Sequence, residues 1–169
     1  MKKMMMAMAF GCCLAAFGGG GTDSWVDDNG LTWTFNWTSD SSGSSAKITK
    51  MTGYALDVTV PGTVKTSDGS GYTVTGIGSS ALASHAEMRY VTIPATITTI
   101  DSYAFAYCSA LSEVHFKGKV PPTCNFNTVF YNTTYLNFCT AYNDNDNFSQ
   151  AEYIYGKSST TYGNNYLAT

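Results

Sequence analysis

The two histidines and five cysteines are the side chains best suited to nucleophilic chemistry, but their spacing assembles no catalytic set. No serine stands in a Gly-x-Ser-x-Gly elbow, the strained turn that exposes a serine nucleophile. The separation of His85 and His115 from the cysteines does not suggest the Cys–His pair that thiol catalysis needs. We therefore predict no catalytic residues, and the chain is not expected to be an enzyme.

The cysteines do not predict a metal site either. Cys12 and Cys13 fall in the N-terminal apolar segment, and the other three lack the Cys-x-x-Cys pairing of zinc sites. Three cysteines remain, Cys108, Cys124 and Cys139. In an oxidising compartment two of them could form one disulfide and leave the third as a free thiol, and the sequence does not decide this. For Cys108 we favour a small buried side chain in a repeat core.

A calcium loop is suggested only weakly by the run Asp144-Asn145-Asp146-Asn147. An EF-hand loop places an oxygen ligand at its fifth position, glycine at its sixth and glutamate at its twelfth. The corresponding residues are Phe148, Ser149 and Tyr155. A solvated turn is therefore the preferred interpretation, and no metal and no cofactor are predicted.

Composition excludes one class of partner. The chain has 169 residues, enough for one domain, and a formal net charge of −3. Its lysines and arginines form no cluster, whereas nucleic-acid binding requires basic side chains gathered on one face. We therefore expect no nucleic-acid partner.

The first residues have the pattern of a secretory leader. Lys2 and Lys3 give a short positive segment, an uncharged apolar run follows from Met4 to Phe17, and small residues precede Thr22. The apolar run is too short for a comfortable membrane span, so we expect no span in the mature chain. Small residues at 16 and 18 favour cleavage after Gly18. Lipidation at Cys12 and an uncleaved anchor are the alternatives.

Aromatic and polar residues alternate after the turn signal Asp27-Asp28-Asn29-Gly30. Leu31, Trp33, Phe35 and Trp37 share one face of a strand, because successive side chains point to opposite sides. Alternation resumes at Ala46 after a polar loop, which predicts a β-hairpin. A repeat array must close its open end, so this aromatic face is expected to form a cap.

The middle of the chain repeats itself at a constant interval. Seven apolar positions are in register without a gap: Val74 with Ile97, Ile77 with Ile100, Ala81 with Ala104, Leu82 with Phe105, Met88 with Leu111, Val91 with Val114, and Ile93 with Phe116. A fixed period of about 23 residues is typical of a solenoid and suits leucine-rich repeats. We predict an α+β solenoid with short parallel strands joined by short helical or 3₁₀ turns.

The array is expected to be short. Val58 matches Val91 in its local pattern but precedes it by more than one period, so the segment 64–73 is interpreted as a projecting loop or hairpin. One period beyond Ala104 and Phe105 stand Asn127 and Thr128, so the period is predicted to stop after Phe116. The expected divisions are a leader at 1–21, an N-terminal β cap at 22–54, repeats at 55–122, and an irregular C-terminal cap with a loose tail at 123–169.

Three segments within 55–122 carry a family resemblance: TVTGIGSSAL, VTIPATITTIDSYAFAYCSAL and SEVHFKGKVPP. They closely resemble the BspA-like leucine-rich repeats of bacterial surface proteins, and the opening DSWVDDNGLTWTF is similar to a module that often precedes such arrays. The first copy departs from the family pattern at Leu82 and His85, and the second at Asp101. The resemblance implies secretion or surface display, adhesion or protein recognition, and no catalytic residues.

The repeat pattern also predicts a binding surface. Outward residues of the strands should line the concave face, and we single out Arg89, Tyr90, Thr92, Glu113 and His115 as candidate ligand-binding residues. Three other hypotheses remain. One is a carbohydrate-binding accessory that uses the tyrosines between Tyr131 and Tyr166. Another is a structural spacer or a remnant of a longer array. In the last, the face is solvated and binds nothing.

Overall fold

The structure is a computed structural model that describes residues 18–118, 122–124, 126–133, 136, 138–141 and 154–156. The expected leader up to residue 17, including the lipidation candidate Cys12, lies outside these residues, as does the run Asp144–Asn147. The described elements are β1 (Gly19–Val26), β2 (Thr32–Asp40), β3 (Gly43–Thr52), β4 (Asp57–Thr59), β5 (Thr63–Lys65), β6 (Gly71–Ile77), β7 (Tyr90–Ile93), β8 (Thr99–Ile100), β9 (Glu113–Phe116), α1 (Phe126–Val129), β10 (Phe138–Ala141) and β11 (Ile154–Gly156).

The first sheet begins with the predicted hairpin and joins it directly to the repeats. Its order is β1-β2-β3-β6-β5, with β8 also paired to β6. β2 and β3 are antiparallel, and Trp33 and Phe35 of β2 are fully buried. β3 then runs parallel to β6, with Ile48 opposite Ile77. The aromatic face is therefore core, and the hairpin covers the end of the solenoid as a cap.

A buried indole helps to fix the entry to this hairpin. The Trp33 Nε1–H donates to Asp27 Oδ2 at 2.9 Å. Asp27 Oδ1 accepts the backbone N–H groups of Asn29 and Leu31, each at 2.9 Å. One carboxylate thus closes the turn and satisfies the indole donor, which would otherwise be buried without a partner.

The second sheet has the order β11-β10-β9-β7-β4. Within it, β4, β7, β9 and β10 run parallel to one another. Val58 pairs with Val91, and Val91 pairs with Val114. Both alignments predicted from the sequence are therefore confirmed as pairs of neighbouring strands. The inward side chains of the two sheets share one hydrophobic core.

The expected insertion at 64–73 forms a hairpin between β5 and β6. Its tip is tied to the first strand, because the Ser67 N–H donates to Asp23 Oδ2 at 2.8 Å. The pKa of the Asp23 carboxyl lies below its ordinary value, chiefly because it accepts a hydrogen bond from the backbone of Ser67 and secondly because it accepts one from the backbone of Ser24. The hairpin is therefore held against β1 at the edge of the first sheet rather than projecting freely.

The connections between the sheets differ from the helical or 3₁₀ turns that we expected. The segments 79–84 and 102–107 are successive tight turns, and the described repeat residues between 79 and 118 contain no helix. Ser80, Ser84, Tyr103 and Tyr107 have φ values of 57°, 65°, 65° and 60°. A left-handed residue interrupts helical backbone geometry, so the chain folds into turns at these positions.

The coils continue beyond Phe116 with a longer spacing, and this corrects the expectation that the repeat ends there. The Leu82 N–H donates to the Ala104 carbonyl at 2.8 Å, and the Phe105 N–H donates in the same way to the Val129 carbonyl at 3.0 Å. Phe130, rather than Thr128, is therefore the repeat equivalent of Phe105. β10 continues the parallel ladder beyond β9. The lengthened spacing before Phe130 hid this coil from a fixed-period comparison.

In the described part of the chain, no helix is both long and apolar enough to cross a membrane.

Candidate functional site

The outer face of the second sheet carries the predicted binding residues in two parallel rows. Alternate residues of β4, β7 and β9 point away from the core, while Val58, Val91 and Val114 are buried beneath them. One row pairs Asp57 with Tyr90 and Tyr90 with Glu113, and the other pairs Thr59 with Thr92 and Thr92 with His115. We call these six residues the outer ladder: Asp57, Thr59, Tyr90, Thr92, Glu113 and His115.

The strand register brings together four of the five predicted binding residues. Tyr90 lies directly opposite Glu113, and Thr92 lies directly opposite His115. Side chains on directly opposed strand positions are close enough to act on one ligand. Tyr90 is 42% exposed, and the other three are half-buried. These four residues therefore form a mixed surface, with one phenol, one carboxylate, one hydroxyl and one imidazole side chain in adjacent pairs.

Arg89, the fifth predicted residue, lies just before β7 and is exposed. Its carbonyl accepts the backbone N–H groups of Ser112 at 2.9 Å and Glu113 at 3.2 Å. The Ser112 hydroxyl donates to the same oxygen at 3.1 Å. Arg89 is thus anchored through its main chain at the entrance to the ladder, next to Tyr90.

Two exposed apolar residues at this entrance were missed by sequence reasoning. Leu56 is 44% exposed and Tyr54 is 71% exposed. The Leu56 carbonyl accepts the N–H groups of Arg89 at 2.8 Å and Tyr90 at 3.1 Å, so Leu56 is the neighbour of Arg89 across the strands. The same offset that aligns Val58 with Val91 also aligns Leu56 with Arg89, and this signal could have identified it.

The closest pair of titratable side chains in the ladder is His115 and Glu113. His115 Nε2 lies 3.0 Å from Glu113 Oε2, and the two residues stand on the same strand. Among the described residues, no group of three or more histidine, cysteine, aspartate or glutamate side chains is arranged to hold a metal ion. The two side chains therefore form a polar, hydrogen-bonded pair on the outer ladder.

The other candidates from the sequence have structural roles. The Cys108 thiol is buried and donates to the Leu82 carbonyl at 3.1 Å. Burial raises its pKa to about 11, and burial raises the pKa of Cys124 to about 12. Both thiols are free, so neither carries a disulfide. His85 Nε2 lies 3.3 Å from the Met51 carbonyl, which joins a repeat turn to the cap.

Comparison with known proteins agrees with this architecture. Residues 65–160 match the family model described as BspA type Leucine rich repeat region (6 copies). No curated protein matches the chain. Among solved structures, a leucine rich cell surface protein from Faecalibacterium prausnitzii A2-165 is similar in fold, with 23% identity and a TM-score of 0.51. The alignment covers 70% of this chain and 30% of that protein.

Two other leucine-rich repeat proteins of known structure are more distant. The one from Bacteroides ovatus ATCC 8483 is 22% identical with a TM-score of 0.48, covering 64% of this chain and 27% of that one. The one from Bacteroides capillosus ATCC 29799 is 20% identical with a TM-score of 0.46, covering 65% and 94%. The family match spans more than half of the chain and includes the β7 and β9 positions of the ladder. The chain therefore belongs to the BspA-type leucine-rich repeat family.

Proposed function

We propose that this chain is a protein-recognition module that binds its partner through the outer ladder and the adjoining entrance residues. The observation that carries this proposal is the contact between Leu56, Arg89 and Tyr90. An exposed leucine and an exposed tyrosine flank an arginine whose backbone is fixed by the neighbouring strands. Tyrosine and arginine are enriched among the residues that dominate protein interfaces.

The surrounding side chains have the arrangement of an interface rim. Asp57, Glu113 and His115 lie on the same sheet face as Tyr90. Leu56 and Arg89 stand just before β4 and β7, at the end of that face. A polar rim around an apolar centre is the usual anatomy of a protein interface. The strands hold these side chains on a hydrogen-bonded scaffold, so little backbone entropy is lost when a partner binds.

We further propose that the module acts outside the cytoplasm in adhesion. The leader pattern up to Gly18 supports this, as does the description of the similar F. prausnitzii protein as a cell surface protein. Cleavage after Gly18 leaves β1 whole, because the strand begins at Gly19. Cleavage after Gly21 removes the part of β1 that pairs with Trp37, Thr38 and Ser39. The intact pairing of β1 supports cleavage after Gly18.

No catalytic role is included in the proposal. The family is generally non-enzymatic, and the best-placed side chains of the ladder form recognition surface rather than a reacting set. The chain spans 30% of the F. prausnitzii protein, so activities of that whole protein are not transferred to it.

The test is binding of the chain to a panel of purified extracellular proteins on a sensor surface. The variant Arg89→Ala, Tyr90→Ala, His115→Ala should have at least about tenfold lower affinity for the panel protein that the wild-type chain binds. A loss of this size corresponds to one strong interface residue. A matched control, Thr38→Ala with Lys50→Ala on the first sheet, should bind normally. Both variants should keep the wild-type thermal midpoint. Undiminished binding by the ladder variant would show that this face is not the interface.

A further inference from the structure

Three exposed tyrosines form a second surface feature, on the turns that connect the first sheet to the second. Tyr103, Tyr107 and Tyr131 are 43%, 51% and 45% exposed. The ring centroid of Tyr131 lies 5.8 Å from that of Tyr103 and 5.6 Å from that of Tyr107, with interplanar angles of 76° in both pairs. We call these three residues the tyrosine cluster. It lies on the turns of two successive coils, away from the outward positions of β7 and β9.

The fold itself does not require tyrosine at these positions. Tyr103 and Tyr107 have φ values of 65° and 60°, which are outliers for bulky side chains. One repeat earlier, Ser80 and Ser84 adopt the same backbone with φ values of 57° and 65°. The turn can therefore be made with serine, and the half-exposed rings contribute little to the core. Strain that is observed at an exposed aromatic cluster is a reason to look for a function there.

The two turns that carry the cluster hold no charged side chain and are rich in hydrogen-bonding groups. The segments 102–112 and 126–136 contain no aspartate, glutamate, lysine, arginine or histidine. The Thr128 hydroxyl donates to the Ser102 hydroxyl at 3.1 Å between the two turns. The neighbouring Asp101 is paired with Lys47 at 2.6 Å. His85 and Glu87 belong to the preceding turn, whose Ser84 N–H donates to the Ala106 carbonyl at 2.8 Å, so they border the neutral surface on that side.

These features together indicate the chemistry of the ligand. Rings that are partly exposed present apolar surface, while phenol, hydroxyl and amide groups supply donors and acceptors at its border. A sugar ring has the matching composition, with C–H groups on its faces and hydroxyls around its edge. A charged ligand would meet no opposite charge on these two turns. Protein interfaces are enriched in arginine, and these two turns contain none.

We propose that the tyrosine cluster is a binding site for a neutral carbohydrate, separate from the protein-binding ladder. The rings of Tyr103, Tyr107 and Tyr131 pack against the sugar faces, and Ser102, Thr128 and Asn132 border the site with neutral polar groups. The site spans two coils, so it depends on the lengthened last repeat that places Tyr131 beside Tyr107.

The experiment uses the full chain on an array of neutral hexose and N-acetylhexosamine oligosaccharides, printed beside sialylated and sulfated ones. The neutral oligosaccharide with the highest signal is then titrated in solution. We expect binding to neutral oligosaccharides and at least about tenfold weaker binding by Tyr103→Ser, Tyr107→Ser, Tyr131→Ala. These replacements are the residues that stand at 80, 84 and 106, their repeat equivalents.

Each remaining outcome has a definite meaning. Binding of charged oligosaccharides alone, no binding to any oligosaccharide, or full affinity in the triple variant overturns the proposal. So does a triple variant that loses a protein partner while its oligosaccharide affinity is unchanged. The double variant Arg89→Ala, Tyr90→Ala, at the entrance to the outer ladder, should keep its oligosaccharide affinity. That result would separate this site from the proposed protein interface. If the triple variant has a lowered thermal midpoint, the single variants Tyr103→Ser and Tyr107→Ser decide instead.

Discussion

The ring of Phe105 stacks on the ring of Phe130, with centroids 5.4 Å apart and planes inclined by 17°. The two residues occupy equivalent positions in successive coils, and both rings are buried in the common core. Coils of a solenoid contact only their neighbours, so such contacts carry the coupling between repeats. This pair joins the last coil to the most regular one.

Removal of one ring of this pair should therefore lower the free energy of unfolding. Phe105→Ala is expected to lower the free energy of unfolding by about 3–5 kcal/mol, because it removes a fully buried ring and leaves a cavity. Chemical denaturation measures the change. Tyr54→Ala, at a highly exposed site, is the matched control and should change stability by less than about 0.5 kcal/mol. A small effect for Phe105→Ala would contradict the stacked geometry.

Glycine is required at 78 by a close backbone contact. The Gly78 N–H donates to the Ile48 carbonyl at 2.7 Å, and a Cβ at this position would lie 2.9 Å from that oxygen. Gly78→Ala should therefore cost about 1–3 kcal/mol, the usual range for overpacking. At Gly71 a Cβ would meet nothing within 4 Å, so Gly71→Ala should be neutral or slightly stabilising. Equal thermal midpoints for the two variants would show that the contact is not tight.

Asp27 and Asp28 are adjacent carboxylates with different roles. Asp27→Ala leaves the buried Trp33 indole N–H without its acceptor, and we expect a loss of about 1–3 kcal/mol. Asp28 is exposed, so Asp28→Ala should have little effect on stability. Tryptophan fluorescence during urea unfolding follows both variants. Loss of stability in Asp28→Ala rather than Asp27→Ala would contradict the assigned hydrogen bond.

The buried thiols predict a loss of stability at alkaline pH. Burial raises the pKa of Cys108 from 9.0 to about 11 and that of Cys124 from 9.0 to about 12. The unfolded chain loses these protons near pH 9 while the folded chain retains them. The stabilisation is therefore complete below pH 9 and declines as pH rises towards 11.

Urea midpoints at pH 8 and pH 10 test this expectation. The variant Cys108→Ala, Cys124→Ala should show a smaller decline between the two pH values than the wild type. Any other ionisation occurs in both proteins and cancels in the comparison. An identical decline in both proteins would show that the thiols are not responsible.

The repeat, the inward residues and the cap hairpin could all be predicted from the amino-acid sequence. These features depend on alternation along one strand and on a constant period. They place Trp33 on the capping face and Val91 and Phe105 at recurring apolar positions without knowledge of their contacts. The outward residues of β7 and β9 could be identified as well, because they alternate with apolar neighbours. Only the assignment of these outward residues to a ligand remains a proposal.

Which turns lie side by side could be learned only from the folded chain. The lengthened spacing before Phe130 shifts the last coil, and the hydrogen bond from Phe105 to Val129 reveals the register. That register brings Tyr131 against Tyr103 and Tyr107, and the strand pairing brings Leu56 against Arg89. Contacts of this kind join residues distant along the chain, and they depend on how each turn closes. A local pattern carries no information on that closure, so the tyrosine cluster became visible only in the tertiary structure.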